Sequence, residues 1–213
     1  MKPAPYPAKL HSLPSNISSI PIEKRRIIFD LIQQHDLRDC LEAGFANGVS
    51  SIVIASATKG SLLTFDHPVA QHNTPSIEQL IEQFGQTNIT PQYCADYAWE
   101  FGKLVKQGRT FDFIFIDASH LFLNTVAGIA LADRLLRRNG YLVLDDISWI
   151  PTVSSPITFE EVRKYNGYVN EEEWRSAPVG EAFDCLLKNS RQYRCDQRER
   201  MAVCQKLSSR FLV

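Results

Sequence analysis

From residue 39 onward, short apolar runs alternate with longer stretches whose apolar residues recur every three or four positions. The first pattern marks strands and the second amphipathic helices. Strands are predicted over Asp39–Ala43, Ser61–Asp66, Ile89–Cys94, Phe111–Asp117 and Tyr141–Asp145. Helices are predicted over Val49–Thr58, Thr74–Phe84, Tyr97–Lys106 and Leu121–Arg138, stopped in turn by Lys59-Gly60, Gly85, Gly108 and Asn139-Gly140. Upstream, Pro21–His35 carries Ile27, Ile28, Leu31 and Ile32 at helical spacing, and Pro21 suits a first turn. Downstream, Gly180–Ser190 reads as a helix, and Tyr193–Asp196 and Met201–Leu207 as a closing antiparallel pair. The runs Ile114-Phe115-Ile116 and Leu142-Val143-Leu144 are apolar at every position, as in strands covered on both faces. Successive strand–helix units predict an α/β fold, a parallel sheet wound with helices on both sides. Ligands of such sheets sit beyond the carboxyl ends of the strands.

Composition narrows the class. A chain of 213 residues, 44% hydrophobic, supplies one sizeable core. Lys+Arg 23 against Asp+Glu 24 leaves a net charge of -1, without the basic excess that holds nucleic acid. No apolar run reaches the roughly 18–20 residues that span a bilayer, so no membrane role is expected. Met1–Asn16 has four prolines and no apolar centre, unlike a signal peptide. Cys40, Cys94, Cys185, Cys195 and Cys204 are widely spaced and read as reduced core thiols of a cytoplasmic protein. Residues 1–20 form a flexible or draped N-terminal segment, and 21–213 one domain. Within it, Ile147–Pro178, with Pro151, Pro156 and Asn166-Gly167, reads as a lid. Trp149, Tyr165, Tyr168 and Trp174 offer rings to stack on a sugar or aryl group, or simply pack the lid. Lys24-Arg25-Arg26 and Glu171–Glu173 read as solvated helix faces. A homo-oligomer is compatible with all of this.

The chemistry-bearing residues cluster at strand ends. Glu42 opens the stretch Glu42-Ala43-Gly44-Phe45-Ala46-Asn47-Gly48-Val49-Ser50-Ser51. Two glycines four apart allow close backbone approach to a ligand, and the helix start at Ser50 favours an anionic group, although an ordinary tight turn would look the same. Asp66 ends the second strand, where a carboxylate can accept both ribose hydroxyls. Together they point to a nucleoside-containing ligand. The spacing is not the three-glycine pattern that wraps a pyrophosphate, which disfavours NAD. Asp117, Asp145 and Asp146 end two strands expected to be neighbours. Crowded carboxylates call for a cation, and all-oxygen ligation suits Mg²⁺; the alternative is capping and pairing with an Arg. His120 follows Asp117 by three and is placed either to deprotonate a hydroxyl or to cap the next helix.

These residues resemble class I S-adenosylmethionine-dependent methyltransferases over about Asp39 to Trp149. The resemblance implies a Rossmann-like, doubly wound, seven-stranded, mostly parallel sheet with an antiparallel last strand. It implies cofactor contacts at Glu42, Gly44, Gly48, Ser50 and Asp66, with Asp96-Tyr97 near the adenine and Asp117 at the edge of the same site. The runs FDFIFIDASH and LLRRNGYLVLDDISW resemble the metal-dependent small-molecule and sugar O-methyltransferases. That similarity implies Asp117, Asp145 and Asp146 as Mg²⁺ ligands and His120 as the general base. It implies as partner a small-molecule hydroxyl acceptor, a sugar or natural product. Competing readings are a metal-independent methyltransferase, a non-catalytic protein that binds S-adenosylmethionine or a nucleotide, and an NAD enzyme.

Overall fold

The computed structural model describes residues 5–15, 19–154, 158–165 and 167–209. Seven strands form one sheet in the order β3-β2-β1-β4-β5-β7-β6. They are β1 Asp39–Ala43, β2 Ser61–Asp66, β3 Ile89–Tyr93, β4 Phe111–Ile116, β5 Leu136–Leu144, β6 Tyr193–Arg198 and β7 Met201–Lys206. β1 to β5 pair in parallel, whereas β7 runs antiparallel to both β5 and β6. Strand order reverses direction between β1 and β4, which opens a crevice at their carboxyl ends. Pro91 is tolerated in β3 because that strand lies at the sheet's edge.

The period of two within each strand divides the core. Phe113, Phe115, Tyr141 and Val143 face helices α1 Ile22–His35, α2 Val49–Ala57 and α3 Ile77–Phe84. Ile114, Ile116, Leu142 and Leu144 face α4 Tyr97–Lys106, α5 Phe122–Leu135 and α9 Pro178–Leu186. Among the described residues of 147–178 are three short helices, α6 Pro151–Ser154, α7 Phe159–Tyr165 and α8 Glu171–Arg175. Trp174 packs there with Leu121 and Val169, so its ring serves packing rather than stacking on a ligand. Tyr168 is half exposed, and its hydroxyl donates to Asn124 Oδ1. The Tyr165 side chain and Pro156 lie outside the described residues, as do Met1–Ala4 and Asn16–Ser18.

Four expectations are revised. Lys24 and Arg25 are not a solvated face: they are 5% and 1% exposed. The Arg25 guanidinium donates to the carbonyls of Leu13, Pro14 and Ile20, which binds the N-terminal segment to α1. Leu10 and Leu13 accordingly drape into the core. The helix expected to reach Arg138 ends at Leu135, because Leu136 pairs with Phe111 and Arg137 turns to ion-pair with Asp39 and Asp112. The helix expected from Thr74 starts at Ile77, where Ser76 and Gln79 form a capping box. Finally, Cys195 and Cys204 are register partners on β6 and β7 and are joined by a disulfide, so two of the five thiols are not reduced. No helix among the described residues is long and apolar enough to cross a membrane.

Candidate active site

A cavity of about 680 Å³ lies beyond the carboxyl ends of β1, β2 and β4. Gly44 leaves β1 with φ +89°, and a Cβ there would come within 2.0 Å of the Asp117 carbonyl oxygen. Glycine is therefore required for β1 and β4 to close on each other at the crevice. Asp66 braces the same turn: its Oδ2 accepts from the amides of Phe45 (2.8 Å) and Ala46 (2.6 Å), and its Oδ1 from His67 N. A carboxylate thus occupies the two amides that would otherwise cradle a phosphate.

Ser50, Asp66, Asp96, Tyr97 and Asp117 all line this cavity, as the sequence suggests. Asp96 caps α4 by accepting from Ala98 N and Trp99 N, and the Tyr97 hydroxyl donates to Asn124 O. Glu42 and Gly48 stand elsewhere. Glu42 is fully buried behind the turn, its Oε2 accepting from Ser51 and Thr64. Burial pushes its carboxyl up to about 7, against the hydroxyls that hold it. Gly48, φ +93°, lets α2 begin against α3, since a Cβ would sit 2.7 Å from Ile77 Cγ1. Nothing in the sequence pattern marks Asn47. It lines the cavity with both side-chain amide atoms buried and without a partner. A buried amide lacking partners is costly, and a polar ligand in the cavity would satisfy it. The cavity's position, the orphaned Asn47 and the mixed polar wall fit S-adenosylmethionine.

A second cavity, of about 480 Å³, adjoins the first. Asp117 and His120 line both, so they stand where contents of the two would meet. His120 Nε2 lies 3.5 Å from Asp117 Oδ1 and 3.8 Å from Asp146 Oδ2, and its ring tilts against Trp149 at 5.2 Å. Burial pulls the imidazolium down, but Asp117, with Asp146 and Asp145 behind it, outweighs burial and holds His120 above its ordinary value. Burial raises Asp117, and burial together with Asp117 pushes Asp145 up to about 7.

The carboxylates do converge, but a lysine stands among them. Lys24 Nζ, from the first turn of α1, contacts Asp145 Oδ1 and lies 2.9 Å from Asp146 Oδ1. Among the described residues no three His, Cys, Asp or Glu side chains are arranged to hold a metal. The expected Mg²⁺ ligand set of Asp117, Asp145 and Asp146 therefore does not fit a divalent ion as it stands. The sequence carries a signal for this. Lys24 lies four, seven and eight residues before Ile28, Leu31 and Ile32, on the apolar stripe of its helix. Arg200, also missed, brings NH2 to 3.8 Å from Asp146 Oδ1.

Residues 41–147 match a family described as a methyltransferase domain. The chain belongs to that family. Among solved structures, this methyltransferase is similar in fold to the O-methyltransferase TomG from Streptomyces achromogenes, involved in tomaymycin synthesis and solved in complex with SAM. The TM-score is 0.66 at 17% identity, over 89% of this chain and 82% of that one. An O-methyltransferase from Bacillus cereus in complex with SAH gives 0.65 at 14% identity, over 90% and 84%. SAH-bound PaMTH1 of Podospora anserina, a methyltransferase, gives 0.62 at 15% identity, over 95% and 89%. None of the curated proteins matches the sequence significantly.

Proposed function

We propose that this methyltransferase transfers the methyl group of S-adenosylmethionine to a hydroxyl of a small molecule, with His120 as general base. The observation that carries the reading is His120 on the wall shared by the two cavities, flanked by Asp117 and Asp146. The Gly44 turn, Asn47, Ser50 and Asp66 hold the cofactor in the larger cavity, where it supplies a sulfonium-activated methyl. His120 receives the acceptor's hydroxyl proton on Nε2, an atom buried without a hydrogen-bond partner. Asp117 and Asp146 then stabilise the imidazolium. The adjoining walls restrict the acceptor to a near-attack pose. The smaller cavity is lined by Lys24, Asp146, Glu199 and Arg200, which supports a polar acceptor such as a sugar. The three solved structures compared above, two O-methyltransferases and a methyltransferase, share this fold.

The test is methyl transfer from labelled S-adenosylmethionine to a panel of sugars, catechols and phenols. The expected result is transfer to at least one hydroxyl, lost by about 10²-fold or more in His120→Ala with cofactor affinity kept. The rate should climb as pH rises through the His120 value, above 6.5, because only the neutral ring accepts a proton. Full activity in His120→Ala, or a rate that falls over that range, would overturn the assignment.

A further inference from the structure

We propose that Lys24 is the resident cation of this site: its ammonium fills the place between Asp145 and Asp146 that a divalent ion would take, and it steers the acceptor oxygen without a metal. The proposal rests on the functional reading above, since it concerns the same pair of cavities.

Geometry is the first support. Lys24 reaches across from α1 to the end of β5, more than a hundred residues away in sequence, and meets both carboxylates of the Asp145-Asp146 pair. Its side chain is 7% exposed and that of Asp145 3%. Charges so removed from water are strongly coupled, and withdrawing one partner leaves the other buried and uncompensated. A divalent ion could therefore enter only by expelling the ammonium or by sitting beside it against like charge.

The second support is that the lysine is held in place. Arg25, the next residue, is tied to three carbonyls of the N-terminal segment, so the first turn of α1 is fixed over the sheet edge. Ile28 and Ile32, one and two turns on, are fully buried on the same stripe. The stem of Lys24 lies along this packed face and delivers only Nζ to the carboxylates.

The third support is the donor count. An ammonium carries three N–H groups and no acceptor. Asp145 and Asp146 take two; among the described residues the third has no protein partner, and Lys24 lines the acceptor cavity together with His120. A hydroxyl oxygen in that cavity can accept this third hydrogen bond while giving its proton to His120. Lys24 would thereby perform the orienting part of a metal's role, with a single positive charge and no open coordination shell. It is a positioning residue for the acceptor.

The decisive measurement is Mn²⁺ binding followed by electron paramagnetic resonance on the full chain, with no acceptor needed. The wild-type protein is expected to bind no Mn²⁺ tighter than about the millimolar range, because its carboxylates are already paired. Lys24→Met keeps the apolar stem and removes the charge, and should gain a Mn²⁺ signal with affinity at least about tenfold tighter. Asp145→Asn added to Lys24→Met should abolish that gain. A Lys24→Met protein that folds yet stays blind to Mn²⁺ overturns the proposal. So does micromolar Mn²⁺ binding by the wild type, an outcome read without any variant. S-adenosylmethionine binding, measured separately by calorimetry, reports on the methyltransferase reading, so failure of either can be told from failure of the other.

Discussion

Glu42 shows what a single buried carboxyl does to the energetics of the site's frame. It lies under the Gly44 turn with Oε2 satisfied by Ser51 and Thr64 and Oε1 without a partner. Its folded-state value is raised from 4.5 to about 7, so between these the native protein holds a proton that the unfolded chain has released. The stability it contributes is whole below the unfolded value and is lost as pH rises through about 7. Glu42→Gln imitates the protonated form at every pH. In urea unfolding at about pH 5 and about pH 8, wild type should lose on the order of 2 kcal/mol more than Glu42→Gln. Equal losses would show that Glu42 does not titrate in this way. Residues of this kind were half legible. That Asp117, Asp145, Asp146 and His120 meet could be read from strand ends, because parallel neighbours bring their carboxyl termini to one edge. That Glu42 turns inward and away from the cavity could not, since either orientation leaves the same letters at the end of β1. Gly44, by contrast, has one reading: Gly44→Ala would force a Cβ into the Asp117 carbonyl at positive φ and should cost upward of about 2 kcal/mol. Urea midpoints would check this, and a cost within error would refute the close contact.

At the scale of elements, the site depends on how α1 is moored. The N-terminal segment contributes Leu10 and Leu13 to the core, and Arg25 is its staple. Replacing Arg25 with Met keeps volume but leaves buried carbonyls of Leu13 and Ile20 without a donor. The expected cost is about 2–4 kcal/mol, with limited proteolysis cutting the N-terminal segment faster. An unchanged urea midpoint would mean that the segment is held by its apolar contacts alone. The mooring was illegible for a physical reason. Arg25 sits beside Arg26 and Lys24, and a run of three bases is the ordinary dress of a solvated helix. Only the strap laid over it makes the middle one internal. A similar long-range pin closes the other end of the sheet, where buried Lys206 ion-pairs with Asp133 at 3.0 Å and the Tyr193 hydroxyl donates to the same carboxylate. The pattern of β6 and β7 in the sequence predicts the hairpin. It does not predict that α5 anchors it through residues some sixty and seventy positions away.

Across the whole molecule, one arrangement decides which nucleoside-containing ligand the crevice accepts. The sheet order opens the crevice between β1 and β4, as in any doubly wound fold, and does not by itself distinguish a dinucleotide from S-adenosylmethionine. The turn after β1 does. Its Phe45 and Ala46 amides, the donors a pyrophosphate would use, are taken by Asp66, and the cavity wall adds Asp96 and Asp117. A dianionic bridge would meet a carboxylate at close range, whereas a sulfonium cation would meet a favourable field. Net charge of -1 hides this, because the acidic edge is balanced by bases elsewhere on the surface. The expected outcome in thermal unfolding is therefore selective. S-adenosylmethionine and S-adenosylhomocysteine, each at about a hundred times its dissociation constant, should stabilise the fold by about 2.7 kcal/mol. For a domain of this size that is a rise in Tm of roughly 5–10 °C. NAD at the same concentration should give none, and Asp66→Asn should lessen the difference by freeing the turn from its fixed negative charge. Stabilisation by NAD equal to that by S-adenosylmethionine would show that the Asp66 brace yields to phosphate, and the crevice would then have to be read as a general nucleotide site.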